Sequence, residues 1–166
     1  MSKLLRHYQP DQYYFVTSVT AERVPLLVEY ADLLLKAYRR TRLRRRFSIV
    51  AWVVLPDHIH VIIHSTDGDF DRIVQGFKLS FSLQLNSRRV KTGPIWQHRY
   101  WDHIIRPEPD INHHVDYIHF NPVKHGLCTA PMGWRLSSYR RYSLSGLYTT
   151  DWGVSQTRSD VRDYGE

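Results

Sequence analysis

A single cysteine, Cys128, occurs among the 166 residues. One thiol excludes an internal disulfide framework and fits a reducing cytoplasm. Long apolar runs are also missing. No window reaches about 18 consecutive apolar residues, so no membrane span is expected. Met1 to Pro10 carries Lys3, Arg6 and His7 and lacks the apolar core of a secretory signal. Internal repeats and low-complexity tracts are absent as well. These features predict one cytoplasmic domain over residues 1–150, followed by a poorly ordered tail over 151–166.

Acidic residues are in deficit, 16 against 23 Lys and Arg, which leaves a net charge of +7. A basic surface of this kind suits a polyanion. Aromatics are plentiful, with 11 Tyr and 5 Trp. Basic grooves with interleaved rings suit single-stranded nucleic acid, because unpaired bases stack on rings while Lys and Arg follow the phosphates. A solvated basic surface over a tyrosine-rich core reads equally well from composition alone.

The pattern of side chains predicts alternating strands and helices. Tyr13 to Thr20 is β-branched and aromatic, a first strand. Pro25 to Arg46 reads as a helix with Leu27, Tyr30, Leu34 and Ala37 on one face and an arginine-rich end. Phe47–Val54 and His58–His64 form a hairpin around Pro56 and Asp57. A helix over Phe70–Ser87 follows, with Phe70, Ile73, Val74, Phe77 and Phe81 as its stripe. Ile95–Arg106 reads as a fourth strand. A third helix starts after Pro109, capped by Asp110, and ends near Asn121, where Pro122 blocks continuation. The predicted class is α+β: a ferredoxin-like split βαβ sandwich with an antiparallel sheet and an added C-terminal helix that bears a tyrosine.

Two short motifs carry chemistry. In His58-Ile59-His60, strand alternation puts both imidazoles on one face and Ile59 on the other. Two imidazoles so placed can ligate one ion, although His-x-His also arises by chance. His64 shares the face but lies about 13 Å beyond His60 by strand rise, too far for the same ion. In the third helix, Tyr117 and Asn121 are one turn apart and project from one face. That pair can serve as nucleophile and metal ligand, or equally as a core tyrosine and a helix cap.

Together, the His58-Ile59-His60 motif and Tyr117-Ile118-His119-Phe120-Asn121-Pro122-Val123-Lys124-His125-Gly126-Leu127 resemble the paired signatures of the HUH nuclease superfamily. More narrowly, the chain resembles the REP-associated tyrosine transposases of the IS200-like group. Tyr14-Phe15-Val16-Thr17, Trp52 to His58, Ile95 to His103 and Trp134 to Tyr142 agree with that family in the same order. The resemblance implies a metal-dependent single-stranded DNA endonuclease and strand transferase acting at palindromic hairpins. It implies Tyr117 as nucleophile, forming a 5′-phosphotyrosine and releasing a 3′-OH. It further implies a divalent cation, Mg²⁺ or Mn²⁺, at His58, His60 and Asn121, and no nucleotide cofactor.

The candidate DNA-binding residues are Lys78, Arg88, Arg99, Lys124, Arg140 and Arg141. His113, one turn before Tyr117, is the first candidate for a general base. Either a monomer or a dimer is compatible with the chain. The competing readings are a domesticated hairpin-binding protein that no longer cuts, and a zinc hydrolase built on His58, His60 and a further histidine. The second lacks a His-Glu-x-x-His segment.

Overall fold

Alternation of buried β-branched and aromatic residues produces four strands: β1 (Gln12–Val19), β2 (Phe47–Val54), β3 (His58–Ser65) and β4 (Trp101–Ile105). They pair antiparallel in the order β2-β3-β1-β4. The helices are α1 (Ala31–Arg42), α2 (Phe70–Asn86), α3 (Asp110–Lys124) and α4 (Tyr139–Leu144). The computed structural model describes residues 10–88, 93–106, 110–149 and 151–154. The first six elements run β-α-β-β-α-β, as the split βαβ reading predicts.

Each face of the sheet buries a different set of side chains. Tyr14, Val16 and Ile63 pack with Phe70, Ile73 and Val74 of α2. Leu33, Leu34 and Ala37 of α1 join Phe81 and Leu85 of α2 around Ile59 and Trp96. On the opposite face, Phe15, Ala51, Val53 and Ile62 meet Val115, Tyr117 and Ile118 of α3. Full burial of one such aliphatic or aromatic side chain contributes roughly 1.5–3 kcal/mol. A register shift between Ile49 and Trp52 lets β2 serve both faces. Before it, Phe47 and Ile49 point toward α2; after it, Ala51 and Val53 point toward α3.

Three elements depart from the sequence pattern. Helix α1 starts at Ala31, not Pro25, because the preceding backbone donors go to loop acceptors: Leu27 N–H donates to the Pro56 carbonyl at 2.9 Å. The fourth strand covers only Trp101–Ile105 of the expected Ile95–Arg106. Ile95 and Trp96 are instead drawn into the core beside Leu27, Phe81 and Leu85, with Trp96 making one isolated bridge to Thr20.

The third correction concerns Pro122, which lies inside α3 and does not end it. Losing that N–H costs about 3 kcal/mol in a helix interior. Burial of Ile118, Phe120 and Pro122 offsets it. The true stop is Gly126, at φ +68°. Its N–H donates to the Val123 carbonyl and that of Leu127 to the Pro122 carbonyl, both at 2.9 Å. This is a Schellman closure, and only glycine adopts the left-handed conformation without strain.

Helix α4 has no counterpart among the predicted elements. It docks on β2, where Ser138 Oγ accepts from the Trp52 N–H at 2.9 Å. Trp152 stacks on Tyr148 at 4.2 Å and on Tyr139 at 5.7 Å. The tail expected over 151–166 otherwise falls on 155–166, outside the described residues.

Candidate active site

Strand β3 carries His58 and His60 toward α3, and both are buried. Each ring has its Nδ1 engaged. His58 Nδ1 lies 2.6 Å from Asp57 Oδ1, and His60 Nδ1 lies 2.8 Å from Thr17 Oγ1. Those bonds fix ring orientation and make Nε2 the nitrogen each can offer an ion, the arrangement expected of metal-ligating histidines. Burial alone would raise the Asp57 carboxyl, but the hydrogen bonds and charges of His58 and Arg23 hold it below the usual carboxylate range.

Helix α3 lays its face across this pair. The Tyr117 ring sits 5.4 Å from that of His60, and the His125 ring 5.2 Å from that of His58. His125 N–H donates to the Asn121 carbonyl at 3.0 Å, so the helical repeat carries through to it. Residues 117, 121 and 125 therefore recur along one side of the helix, with Asn121 buried one turn beyond Tyr117. Phe15 of β1 forms the floor, with ring centroids 5.4 Å from His60 and 5.9 Å from Tyr117. Lys124 Nζ donates to Tyr117 Oη at 3.4 Å and lies 5.0 Å from its ring centroid.

The donor set of two imidazole nitrogens and an amide oxygen fits a divalent cation. The amide and the phosphate oxygens of a bound strand favour Mg²⁺ or Mn²⁺, while the imidazoles favour Mn²⁺ over Mg²⁺. His64 lies apart from the pair, at 2.8 Å from Asp11 and stacked on Tyr13 at 4.5 Å. His113, the first candidate for a general base, keeps a buried Nδ1 without a hydrogen bond among the described residues. The site residues that sequence reasoning missed are Asp57, read only as a turn former, and Thr17; His125 entered only as part of the tyrosine-helix motif. The alternation of β1 against β3 is the signal that would have found Thr17.

The basic candidates divide by environment. Arg99, Arg140 and Arg141 are exposed. Arg141 donates to the Val50 carbonyl and stacks on Tyr142 at 5.2 Å. Arg88 pairs with Asp32 at 3.3 Å on the α1–α2 side. Lys78 donates to the Gln97 carbonyl at 3.0 Å between Trp96 and Tyr100, and burial lowers its pKa. Lys124 contacts Tyr117.

Behind the site, a buried chain ties α3 to the C-terminal segment. His119 Nε2 lies 2.7 Å from Ser138 Oγ, and His119 Nδ1 2.9 Å from Tyr148 Oη. Tyr148 donates to Asp116 Oδ1 at 2.8 Å. Burial, with Arg141 adding to it, pushes the His119 pKa down from 6.5 to about 3. The unfolded chain therefore takes up a proton below about pH 6.5 that the folded chain refuses. This group's stability contribution is full above that pH and falls by about 1.4 kcal/mol per unit below it. Denaturant titrations should show a loss of about 2 kcal/mol between pH 7 and pH 5 from this residue. His119→Gln should flatten that slope.

Comparison with known proteins identifies the family. Residues 8–121 match the family described as Transposase IS200 like. A REP-associated tyrosine transposase of Escherichia coli K12 is 35% identical over 99% of this chain and 95% of its own length. A putative REP-associated tyrosine transposase of Haemophilus influenzae is 33% identical over 92% of this chain and 94% of its own. A solved REP-associated tyrosine transposase bound to a REP hairpin superposes with a TM-score of 0.83 at 36% identity, covering 95% of this chain and 96% of that one. A putative transposase from Deinococcus radiodurans, at 22% identity and TM-score 0.50, shares the fold over 67% of this chain and 92% of its own. The chain belongs to the REP-associated tyrosine transposases, within the IS200-like transposase family.

Proposed function

We propose that this transposase cleaves and rejoins single-stranded DNA at repetitive palindromic hairpins, with Tyr117 as nucleophile and with Mg²⁺ or Mn²⁺ held by His58, His60 and Asn121. The observation that carries this is the packing of Tyr117 against His60, on a helix that carries buried Asn121 one turn further on. A bound cation there supplies Lewis-acid polarisation of the scissile phosphate. Tyr117 Oη attacks phosphorus, the bond to the 3′ oxygen breaks, and the phenolic proton is in balance transferred to that oxygen. The products are a 5′-phosphotyrosine and a 3′-OH. Because the phosphodiester energy is kept in the covalent link, an incoming 3′-OH reverses the step and joins strands without a nucleotide cofactor.

The structural relative held on a REP hairpin supports a hairpin substrate, and exposed Arg99, Arg140 and Arg141 offer phosphate contacts. Incubation with labelled single-stranded hairpins from its own genome should give a band migrating with the protein in Mn²⁺ and none in EDTA. Gel-shift binding with no adduct across the library would support a domesticated binder. Cleavage without an adduct would move the nucleophile to water.

Lys124 acts on the phenol and not on the DNA backbone in this reading. Its ammonium, at the phenol oxygen, stabilises negative charge there, as Tyr117 loses its proton and again as it leaves phosphorus on rejoining. Lys124→Met should slow single-turnover cleavage on the order of 10²-fold. The salt dependence of hairpin binding should stay unchanged. A lysine acting only as a phosphate contact would instead reduce the salt slope by about one and leave the rate of bound complexes intact.

A further inference from the structure

A second set of metal-ligating side chains lies on the far side of Phe15 from His60. His103 comes from β4, and Asp110 and His114 from the first turn of α3. One ligand atom from each falls within 4.8 Å of the other two. His114 Nδ1 is 3.4 Å from Asp110 Oδ1, and His103 Nε2 is 3.9 Å from Asp110 Oδ2. An ion with bonds of about 2.0–2.1 Å to nitrogen and oxygen holds tetrahedral donors roughly 3.4 Å apart. The spacing of His114 to Oδ1 already matches; His103 lies beside the other oxygen, Oδ2, and reaches the same ion by a movement of its exposed ring.

Neighbouring rings order the set. Trp101 stacks on His103 at 6.0 Å, and His103 stacks on His114 at 5.6 Å. The Phe15 ring lies 5.1 Å from His114 and 5.4 Å from His60, so it separates this cluster from the proposed catalytic pair. His114 Nδ1 also lies 2.8 Å from the Asp110 backbone carbonyl. Coordination through Nδ1 releases its proton to solvent and gives up that one bond. The carbonyl keeps its ordinary helical acceptor role.

We infer that His103, Asp110 and His114 form a second cation site, suited to Zn²⁺, that fastens β4 to the start of the tyrosine-bearing helix. Two imidazoles and one carboxylate are a borderline-soft set that prefers Zn²⁺ to Mg²⁺. The His103 side chain is 47% exposed, which leaves the fourth position open to solvent. The ion closes the short connection between residues 105 and 110 and fixes the N-terminal end of α3, seven residues before Tyr117. This site stands independently of the nuclease reading.

The test is equilibrium dialysis of the full chain against Zn²⁺ in excess Mg²⁺, paired with thermal melting. His103→Ala and Asp110→Asn should each bind one zinc fewer per chain than the wild type, and each should lose a zinc-dependent rise in Tm. Tyr117→Phe should keep the wild-type stoichiometry. His103 is exposed, so its removal leaves the core intact. Equal zinc binding by His103→Ala, Asp110→Asn and wild type would overturn the assignment. Zinc lost in these variants while the wild-type chain forms no DNA adduct would keep this site and refute only the nuclease.

Discussion

Replacing Tyr117 with phenylalanine should abolish the covalent DNA adduct and leave hairpin binding within about twofold of wild type. The phenyl ring preserves the contacts with Phe15 and His60, which use the ring and not the hydroxyl. What disappears is the only oxygen that this account allows to attack phosphorus. Cleavage should therefore fall by roughly three orders of magnitude or more, each tenfold being about 1.4 kcal/mol of barrier. Single-turnover cleavage and gel-shift titration, run on one preparation, separate the two effects. Undiminished cleavage by this variant would remove Tyr117 from the chemistry.

His60→Ala should produce the next largest loss. It removes a nitrogen from the proposed cation site and strips Thr17 Oγ1 of its 2.8 Å partner. Losing the charge stabiliser at the phosphate should slow cleavage on the order of 10²–10³-fold. A buried cavity should also lower the melting temperature. Asp57→Asn separates these consequences. It leaves both ligands in place, weakens the hydrogen bond that orients His58 and removes the ion pair with Arg23 at the surface. It should cost about 10–100-fold in metal affinity or activity, and raised Mn²⁺ should recover much of the rate. Recovery of Asp57→Asn without recovery of His60→Ala is the pattern expected of an orienting group beside a ligand. Full cleavage by both variants in EDTA would refute metal dependence.

Much of the fold was legible because hydrophobic alternation is a local signal. β2 could be read at its observed boundaries, and α2 to within a residue, from Phe70, Ile73, Val74 and Phe81 alone. Pro122 misled because a local rule met a tertiary exception: packing of Ile118, Phe120 and Pro122 outweighs the lost hydrogen bond, and Gly126 was the better stop signal. The true extent of β4 was hidden because Ile95 and Trp96 carry strand propensity but are held by core burial. The proposed metal ligands stood out by spacing along β3 and α3. Their supports did not, since Thr17 reaches His60 across 43 positions and His125 meets His58 only after α3 folds back over the sheet. The approach of α3 to β4 brings His103 to Asp110 and His114, a relation that no spacing rule exposes.

The most direct test of the central claim is mass spectrometry of the protein after reaction with a hairpin oligonucleotide in Mn²⁺, followed by nuclease trimming and proteolysis. The account predicts a nucleotide joined through its 5′ phosphate to Tyr117, and a matching 3′-OH on the released strand. A cleaved strand bearing a 5′ phosphate with unmodified Tyr117, or a nucleotide on another residue, would contradict it.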